Sequence, residues 1–330
     1  MRAAVTGGAG FIGHHLVGGL VALGNQVSVI DDFSTGSRSR LAPFGDRVGV
    51  TEGSILDAAA LDESLRNCEV VFHEAAIASV AESLVAPRAT NDVNVSGTIE
   101  VMLAAARCGV RRVVLAGSSA VYGIPEQLPC RENQRPDPRS PYGASKLAAE
   151  HYLHSLGRLH GVETVALRYF NVIGPGQDPD SEYAAVVPRF IAAVLEDEPP
   201  IINGSGDISR DFVYVDDVVE ANLLASRASS PSDLTCNIAS GARTSLLELL
   251  LAVCAAAGRN IDPVLGPPRP GDIQHSQADI SLARQALGYA AHVPLGEGIA
   301  RTLEWFRSHP VGLTNAGDRE SRHRRHLRAG

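Results

Sequence analysis

The chain has 330 residues, 45% of them hydrophobic, and a formal net charge of −8 at pH 7. That length can bury a large core in one large domain or two closely joined ones, and the acidic balance argues against nucleic acid as a partner. No apolar run reaches the length of a membrane span, since the most apolar stretch, 245–258, is short and carries a glutamate.

Five scattered cysteines, at positions 68, 108, 130, 236 and 254, form no CxxC pair. They are typical of reduced thiols that fill a core, and the N-terminus has no signal-peptide pattern. We therefore expect a cytoplasmic protein without a metal site or a membrane partner, and we expect it to be a homodimer.

Strand-like and helical segments alternate along the first half of the chain. Short apolar runs typical of buried strands occupy 3–6, 26–30, 48–51, 70–73, 113–116 and 164–167. Helical patterns occupy 11–23, 58–66, 91–108 and 142–160. Apolar strands joined by crossovers predict a parallel sheet covered on both faces, that is, a doubly wound α/β (Rossmann) fold.

The first predicted strand leads into a glycine-rich turn, Thr6-Gly7-Gly8-Ala9-Gly10-Phe11-Ile12-Gly13. Glycines at 7, 10 and 13 allow a tight turn, close approach of the backbone to a pyrophosphate, and close packing of helix on strand. The pyrophosphate would lie over the N-terminus of the following helix. A glycine turn between a strand and a helix therefore predicts a dinucleotide site.

The second predicted strand ends in Asp31, eighteen residues after Gly13. An acid at this place accepts hydrogen bonds from the adenosine ribose. Because Asp31 and Asp32 would repel a 2′-phosphate and no arginine adjoins them, the sequence favours NAD over NADP.

Lys146 is the single lysine among 29 basic side chains. A position that keeps lysine in an arginine-rich chain needs a compact charge with an adjustable pKa. Tyr142 lies four residues earlier, on the same helix face. An ammonium beside a phenol stabilises the phenolate and lowers the tyrosine pKa, so we predict that this pair is catalytic.

The pattern changes after about residue 171. Proline and glycine cluster at 174–179, 199–206 and 266–271, with shorter helices between them. We expect a dinucleotide-binding Rossmann domain at 1–170, a smaller C-terminal substrate-binding lobe at 171–308 that is interleaved with it, and a basic, disordered tail at 309–330.

Eight motifs in combination carry a family resemblance. They are TGGAGFIG, His73-Glu74-Ala75-Ala76, Asn94-x-x-Gly97-Thr98, Ser118-x-x-x-Tyr122-Gly123, Tyr142-x-x-x-Lys146, Arg168-Tyr169-Phe170-Asn171, Arg210-Asp211-Phe212 and Arg269-Pro270-Gly271-Asp272. On these motifs, residues 1 to about 308 resemble the extended short-chain dehydrogenases/reductases of the nucleotide-sugar epimerase group, and the UDP-hexose 4-epimerases in particular.

The resemblance implies a role for each motif. Ser118 becomes the third catalytic side chain beside Tyr142 and Lys146. The implied NAD-binding residues are Gly7, Gly10, Phe11, Ile12, Gly13, Asp31, Asp32, Ser34, Ser54, Ile55, Ala75, Ala76, Asn94, Tyr142, Lys146 and Tyr169. The implied UDP-sugar-binding residues are Ser118, Ser119, Tyr142, Asn171, Val186, Arg210, Arg269, Asp272 and Ser276. In this scheme both arginines bind the diphosphate, and Asp272 binds the uridine ribose. Ser54 departs from the family, which usually has an acid there.

The reaction implied by the resemblance is inversion at C4 of the sugar through a 4-keto intermediate. Tyr142 removes a hydroxyl proton while NAD accepts the hydride, which later returns to the other face. In the dehydratases of the family, the segment that corresponds to 118–123 resembles Thr-Asp-Glu-x-Tyr-Gly, with an acid and a base just after the Ser/Thr position. The related decarboxylases carry a glutamate at that place. Because Ser118-Ser119-Ala120 has no carboxylate, epimerisation is the reaction that remains, with another nucleotide-sugar dehydrogenase or reductase as an alternative.

The substrate is left open by the sequence. Ser276 stands where family members restricted to UDP-glucose tend to have tyrosine, and its small size leaves room for a substituent. The segments 177–179 and 183–188 look like the N-acetylhexosamine 4-epimerases, while 271–279 looks equally like the UDP-glucuronate 4-epimerases. Asp178 argues against glucuronate, whereas donors in the turn 117–119 argue for it. UDP-glucuronate and UDP-N-acetylglucosamine are equal alternatives, with UDP-glucose behind them.

A non-enzymatic alternative is an NAD-binding sensor on the same fold, since a fold does not fix a function. A sensor would be expected to have lost Tyr142 or Lys146, and both are present. The tail 317–330 holds five arginines and two histidines, and we expect a solvated end there rather than a nucleic-acid site.

Overall fold

The computed structural model describes residues 1–177, 186–229, 233–267 and 273–309. The strands in these ranges are β1 Arg2–Thr6, β2 Gln26–Asp31, β3 Val48–Glu52, β4 Val70–His73, β5 Arg112–Ser118, β6 Glu163–Tyr169, β7 Asn171–Ile173, β8 Ile201–Asn203, β9 Ser209–Arg210, β10 Phe212–Tyr214, β11 Leu234–Ile238, β12 Thr244–Ser245 and β13 Val264–Gly266. The α-helices are α1 Phe11–Ala22, α2 Ala58–Leu65, α3 Val80–Val85, α4 Pro87–Asn91, α5 Gly97–Arg107, α6 Pro141–His160, α7 Val186–Leu195, α8 Val215–Arg227, α9 Leu246–Ala257, α10 Ser281–Leu287 and α11 Leu295–Ser308.

Seven strands form one parallel sheet in the order β11-β6-β5-β4-β1-β2-β3. One apolar cluster packs α1 and α8 against a face of this sheet, and a second packs α2, α5 and α6 against the other face. The predicted doubly wound fold is therefore confirmed. The strand order reverses beside β1, so a crevice opens between the carboxyl ends of β1 and β4, the place where such sheets bind ligands.

The seventh strand was not predicted. β11 comes from the second half of the chain and pairs with β6 through Cys236 and its neighbours. Its sequence, LTCNI, is short and half polar, so it has no clear strand pattern. The Rossmann sheet consequently draws on residues from both sides of position 170.

The helix predicted over 91–108 is divided in the structure. α4 ends at Asn91, one wide π-helical turn covers Asp92–Ser96, and α5 begins at Gly97. A Cβ atom added to Gly97 would lie 2.4 Å from Cδ1 of Ile55, so the chain comes close to the loop after β3 at this point. Wide turns of this kind often accompany functional sites.

The later residues build a third apolar cluster among α7, α9 and α11. α9 is held at both ends: Ser245 and Glu248 form a reciprocal capping box, and Gly258 takes the left-handed conformation that terminates the helix. In the described ranges, no helix combines the length and the apolar character that crossing a membrane requires.

Helix α6 carries the Tyr142–Lys146 pair, and its position is fixed from both ends. Ser140 accepts a hydrogen bond from the amide of Gly143, and left-handed Gly161 ends the helix. In its middle, Glu150 accepts two hydrogen bonds from Arg168 of β6, with N–O distances of 2.5 and 3.0 Å. Both side chains are about 95% buried, so this ion pair joins the helix to the sheet below the crevice.

We expect Glu150→Gln to lower the free energy of unfolding by about 3–5 kcal/mol, because it leaves the guanidinium of Arg168 buried without its counter-charge. Urea denaturation followed by circular dichroism measures the loss. Arg158→Gln is the matched control, since its pair with Asp233 is exposed and is worth about 1 kcal/mol or less. Equal losses in the two variants would contradict the account.

Candidate active site

Polar side chains collect at the carboxyl ends of the sheet strands. Thr6 ends β1, Asp31 ends β2, His73 ends β4, Ser118 ends β5 and Tyr169 ends β6. Thr6 and His73 are paired across the sheet, and their side chains lie 2.8 Å apart; Ser118 and Tyr169 are likewise partners across β5 and β6. Because the strands are parallel, these groups line one edge of the sheet, around the crevice.

The glycine turn forms a cradle in which side chains would not fit. Gly7 has φ +67°, and a Cβ there would lie 2.7 Å from Cα of Ala75. A Cβ on Gly13 would lie 2.1 Å from the carbonyl oxygen of Gly7. Gly10 precedes α1 and supplies no side chain to cap it, so the first amides of this helix are not occupied by an N-cap side chain. This arrangement fits a pyrophosphate at a helix N-terminus.

Asp31 is buried at the end of β2, beside the glycine turn. Its two carboxylate oxygens accept hydrogen bonds from the amides of Ala9 and Phe33, each at 2.8 Å. Burial raises the pKa of this carboxyl, and the two amide hydrogen bonds oppose that rise. Asp32 is exposed and accepts hydrogen bonds from the amide and hydroxyl of Ser34. Two adjacent carboxylates at this strand end disfavour a 2′-phosphate.

The loop after β3 also borders the crevice. The hydroxyl of Ser54 accepts a hydrogen bond from the amide of Leu56 at 3.1 Å, and Ile55 is buried. On the facing loop, the amide of Ala75 donates to Thr6. The serine that replaces the family acid therefore caps its own loop.

Ser118 and Tyr142 meet at the end of β5. Ser118 is 8% exposed, and a hydrogen bond from it lowers the pKa of Tyr142. Burial has the opposite and larger effect, so the pKa of Tyr142 lies above its ordinary value. The expectation that a neighbouring cation brings this pKa below the ordinary range is wrong for this structure, because burial of the phenol dominates and the opposing effect comes from Ser118.

Lys146 lies one turn further along α6 and is 5% exposed. Its ammonium donates a hydrogen bond to the carbonyl oxygen of Ala116 at 2.8 Å. Burial lowers the pKa of Lys146 to about 8, and the carboxylate of Glu74 acts to raise it. The single lysine is thus a buried group that changes charge close to neutral pH.

Asn94, on the wide helical turn, is buried and fully engaged by the protein. Its side-chain oxygen accepts from the amide of Ile77, and its nitrogen donates to the carbonyl of Ile77 and to the hydroxyl of Ser145. Ser145 precedes Lys146 on α6. Asn94 therefore connects the loop after β4 to the helix that carries Tyr142 and Lys146.

The predicted substrate residues in the described ranges lie on adjoining short strands and loops. The backbone amide of Asn171 donates to the carbonyl of Asp211, and the amide of Ser276 donates to the carbonyl of Ser209. Arg210 donates to the carbonyls of Ser209 and Gln274. The remaining members of the predicted set are Val186, the first residue of α7, Ser119, which follows β5, and Arg269 and Asp272, which lie outside the described residues.

Three side chains that sequence analysis gave no role border this region. Arg40 donates to the carbonyls of Ala9 and Gly176 and so joins the glycine turn to the second half of the chain. Asp211 is fully buried and accepts hydrogen bonds from loops 240–241 and 278. Glu74 accepts a hydrogen bond from Tyr169 at 2.9 Å. Asp211 and Glu74 lie inside recognised motifs, a signal that could have drawn attention to them, whereas nothing in the sequence distinguishes Arg40.

A dinucleotide cradle, with a serine, a tyrosine and a lysine at the same edge of a Rossmann sheet, defines an enzyme of the short-chain dehydrogenase/reductase type. The profile of the NAD dependent epimerase/dehydratase family matches residues 3–239, and the chain belongs to this family. Its cofactor is NAD.

Relatives within the family are similar over nearly the whole chain. The UDP-glucose 4-epimerase of Mycolicibacterium smegmatis is 40% identical over 315 residues, covering 93% of this chain and 99% of the relative. A UDP-N-acetylglucosamine 4-epimerase from Methanobrevibacter ruminantium, solved in complex with UDP-N-acetylmuramic acid, is 36% identical with a TM-score of 0.89, covering 93% and 98%. A mutant UDP-glucuronic acid 4-epimerase from Bacillus cereus, solved with NAD and UDP-4-deoxy-4-fluoro-glucuronic acid, is 29% identical with a TM-score of 0.86, covering 94% and 100%.

We expect Lys146→Arg to lower kcat/KM by about a hundredfold or more, because the larger guanidinium does not fit the site and its forked donors do not match it. Arg227→Lys and Arg259→Lys are the controls: both arginines are exposed, and each exchange should change the rate less than about twofold. Steady-state kinetics on one UDP-sugar compares the three variants. Near-wild-type turnover by Lys146→Arg would show that Lys146 does not touch the reacting groups.

Proposed function

We propose that this protein is an NAD-dependent UDP-sugar 4-epimerase that inverts C4 of a substituted hexose, either UDP-glucuronate or UDP-N-acetylglucosamine. The observation that carries the proposal is the convergence of Ser118, Tyr142 and Lys146 at the crevice beside the glycine cradle. An acid–base pair next to a nicotinamide site is what oxidation of a secondary alcohol requires.

The cofactor would be held by the groups around the cradle. The amides at the start of α1 would take the pyrophosphate, and the Asp31 carboxylate, which keeps further lone pairs beyond its two amide contacts, would take the adenosine ribose. Lys146 would donate to the nicotinamide ribose. When bound, NAD supplies reversible hydride acceptance at the sugar carbon.

Tyr142 would take the proton from the 4-hydroxyl of the sugar, while Ser118 donates a hydrogen bond to the same oxygen. Since burial raises the pKa of Tyr142, the phenolate needs stabilisation within the site, and the Lys146 ammonium and the Ser118 hydroxyl are the groups available for it. Once the hydride has returned to the opposite face of C4, Tyr142 would give its proton back to the C4 oxygen, so the tyrosine is restored and the net reaction is redox-neutral.

The substrate would lie against the second half of the chain. Arg210, together with Arg269 and Asp272 outside the described residues, would bind the UDP portion, because a guanidinium fork suits a diphosphate. Asn171 and Val186 would border the sugar. In this proposal we retain residues 1–170 as the cofactor domain and 171–308 as a substrate lobe interleaved with it, since β11 and α8 of the second half pack with the cofactor sheet. A homodimer is the working assembly.

Support for epimerisation over elimination comes from the turn after β5. The pattern typical of dehydratases in this group has an Asp-Glu pair at two positions that Ser119 and Ala120 occupy in this chain. No carboxylate therefore follows Ser118 directly. Without an acid and a base there, this turn supplies no catalyst for loss of water from the 4-keto sugar. Return of the hydrogen to C4 is the remaining outcome.

Support for a substituted hexose comes from Ser276. Its amide is held by the carbonyl of Ser209, and its neighbour His275 lies 2.8 Å from the hydroxyl of Ser209. The wall at this place is therefore anchored by its backbone while its side chain is small, which leaves volume for an N-acetyl or carboxylate group. The two substituents remain equal candidates.

The purified protein should interconvert the two C4 epimers of its UDP-sugar with no added NAD or with catalytic traces. NADH should not build up, because each turnover leaves the cofactor oxidised. Product analysis by chromatography, with simultaneous recording of NADH absorbance, measures both quantities. Release of one NADH for each sugar consumed would identify a dehydrogenase and exclude the proposal.

Ser276→Tyr should lower the turnover of UDP-glucuronate or UDP-N-acetylglucosamine much more than that of UDP-glucose. Overpacking a pocket wall costs about 1–3 kcal/mol, or about ten- to a hundredfold in rate. Wild type and variant are compared on all three UDP-sugars, with Ser276→Ala as a control that keeps the side chain small. Equal losses on every sugar, or a wild type active only on UDP-glucose, would show that Ser276 is not the specificity wall.

A further inference from the structure

Glu74 is a carboxylate in the crevice that the proposed reaction does not use. It follows β4 directly, and its backbone lies against the glycine cradle, because a Cβ on Gly7 would be 3.1 Å from the carbonyl carbon of Glu74. Its carboxylate accepts a hydrogen bond from the phenol of Tyr169 at 2.9 Å, and the side-chain nitrogen of Asn222 donates to that phenol at 2.7 Å. A chain of two hydrogen bonds from β6 and α8 thus holds the carboxylate in place.

The titratable groups around Glu74 come from three elements: Lys146 from α6, Tyr169 from β6 and His73 from β4. Burial raises the pKa of Tyr169 well above its ordinary value and lowers that of His73 to about 3, so both are neutral between pH 5 and 8. Glu74 and Lys146 are the two groups of this set that change charge near neutral pH. Burial raises the pKa of Glu74 to about 7, and the Lys146 ammonium opposes that rise.

The strand pairing brings the two groups to neighbouring positions. His73 pairs with Leu115 across β4 and β5, so Glu74 follows beside Ala116. The carbonyl oxygen of Ala116 accepts a hydrogen bond from the Lys146 ammonium. A buried ammonium without a counter-charge tends to lose its proton, and an anion nearby in a low-dielectric medium restores the charged form. Among the described residues, Glu74 is the acid whose charge acts on Lys146. The fixed hydrogen-bond chain through Tyr169 keeps that anion in one place.

We propose that Glu74 is a positioning residue for the reaction: its carboxylate, held by Tyr169 and Asn222, keeps Lys146 in the ammonium form that Tyr142 needs. The catalytic consequence rests on the proposed function, whereas the effect on Lys146 does not. Loss of the Glu74 charge should therefore make Lys146 give up its proton at lower pH, and the alkaline limb of the rate profile should move with it.

The unique lysine makes a direct test practical. Protein grown with lysine carrying carbon-13 at Cε gives a single lysine side-chain signal, whose chemical shift against pH reports the ionisation of Lys146 in the NAD-bound enzyme. We expect the midpoint of the Lys146 titration to lie at lower pH in Glu74→Gln than in the wild type. The midpoint in Glu74→Asp, which keeps a charge, should lie between these two values. A Glu74→Gln midpoint at or above the wild-type value would overturn the proposal.

Glu132→Gln is the matched control. Glu132 is also a partly buried carboxylate whose pKa is raised by burial, but it accepts from the amide of Asn237 on β11, away from Lys146. The Glu132→Gln variant should have the same midpoint for the Lys146 titration as the wild type. A shift as large as that of Glu74→Gln would mean that loss of any buried acid has this effect, and it would also overturn the proposal.

Two further measurements separate a positioning role from a structural one. In the rate profile, Glu74→Gln should move the alkaline limb of kcat by the same amount as the midpoint, whereas a merely structural defect lowers the rate equally at every pH. If Glu74→Gln does not fold, Tyr169→Phe serves instead, because loss of the phenol hydrogen bond favours the neutral acid and should also lower the midpoint. A protein that epimerises no UDP-sugar would still give the lysine titration, so failure of the two proposals is distinguishable.

Discussion

The buried ion pair between Glu150 and Arg168 is the contact on which the proposed active site depends. Glu150 lies one turn beyond Lys146 and two turns beyond Tyr142, so fixing it on β6 fixes the helix face that carries all three. Arg168 is followed directly by Tyr169, whose phenol faces the crevice. This ion pair therefore joins the helix with the acid–base pair to the strand whose end borders the cofactor cradle.

The crevice concentrates buried ionisable groups, and this has a cost in stability. Burial in the folded state raises the pKa of Glu74 to about 7. The contribution of this side chain to the free energy of unfolding is therefore complete below the ordinary glutamate pKa and is lost as the pH rises through 7. Lys146 has its pKa lowered to about 8, so folding opposes its protonation as the pH falls from the ordinary lysine range towards 8. Between about pH 7 and 8 both groups are charged and both costs apply. Such a pair suits a site assembled for proton transfer, because pKa values near the working pH serve that chemistry.

Much of this arrangement could be predicted from the sequence, because it depends on local patterns. The glycine turn, the apolar strands and the Tyr142–Lys146 spacing each follow from short-range stereochemistry, and each of the six predicted strands is present. β11 could not be recognised, since a short, half-polar edge strand is defined by its partner β6 rather than by its own residues. The wide turn before α5 likewise depends on contacts of Asn94 with the loop after β4. The direction of the Tyr142 pKa was mispredicted because sequence spacing reveals a neighbouring cation but not the loss of water.

The most direct test of the account is the fate of the hydrogen at C4 of the sugar. A UDP-sugar carrying deuterium at C4 is converted to equilibrium in ordinary water, and the product is examined by NMR and mass spectrometry. Hydride removal and return within one closed site predicts that the deuterium is kept at C4 of the epimerised sugar. Its loss to solvent at a rate matching epimerisation would contradict the account, because the carbon would then exchange a proton with water rather than a hydride with the bound cofactor.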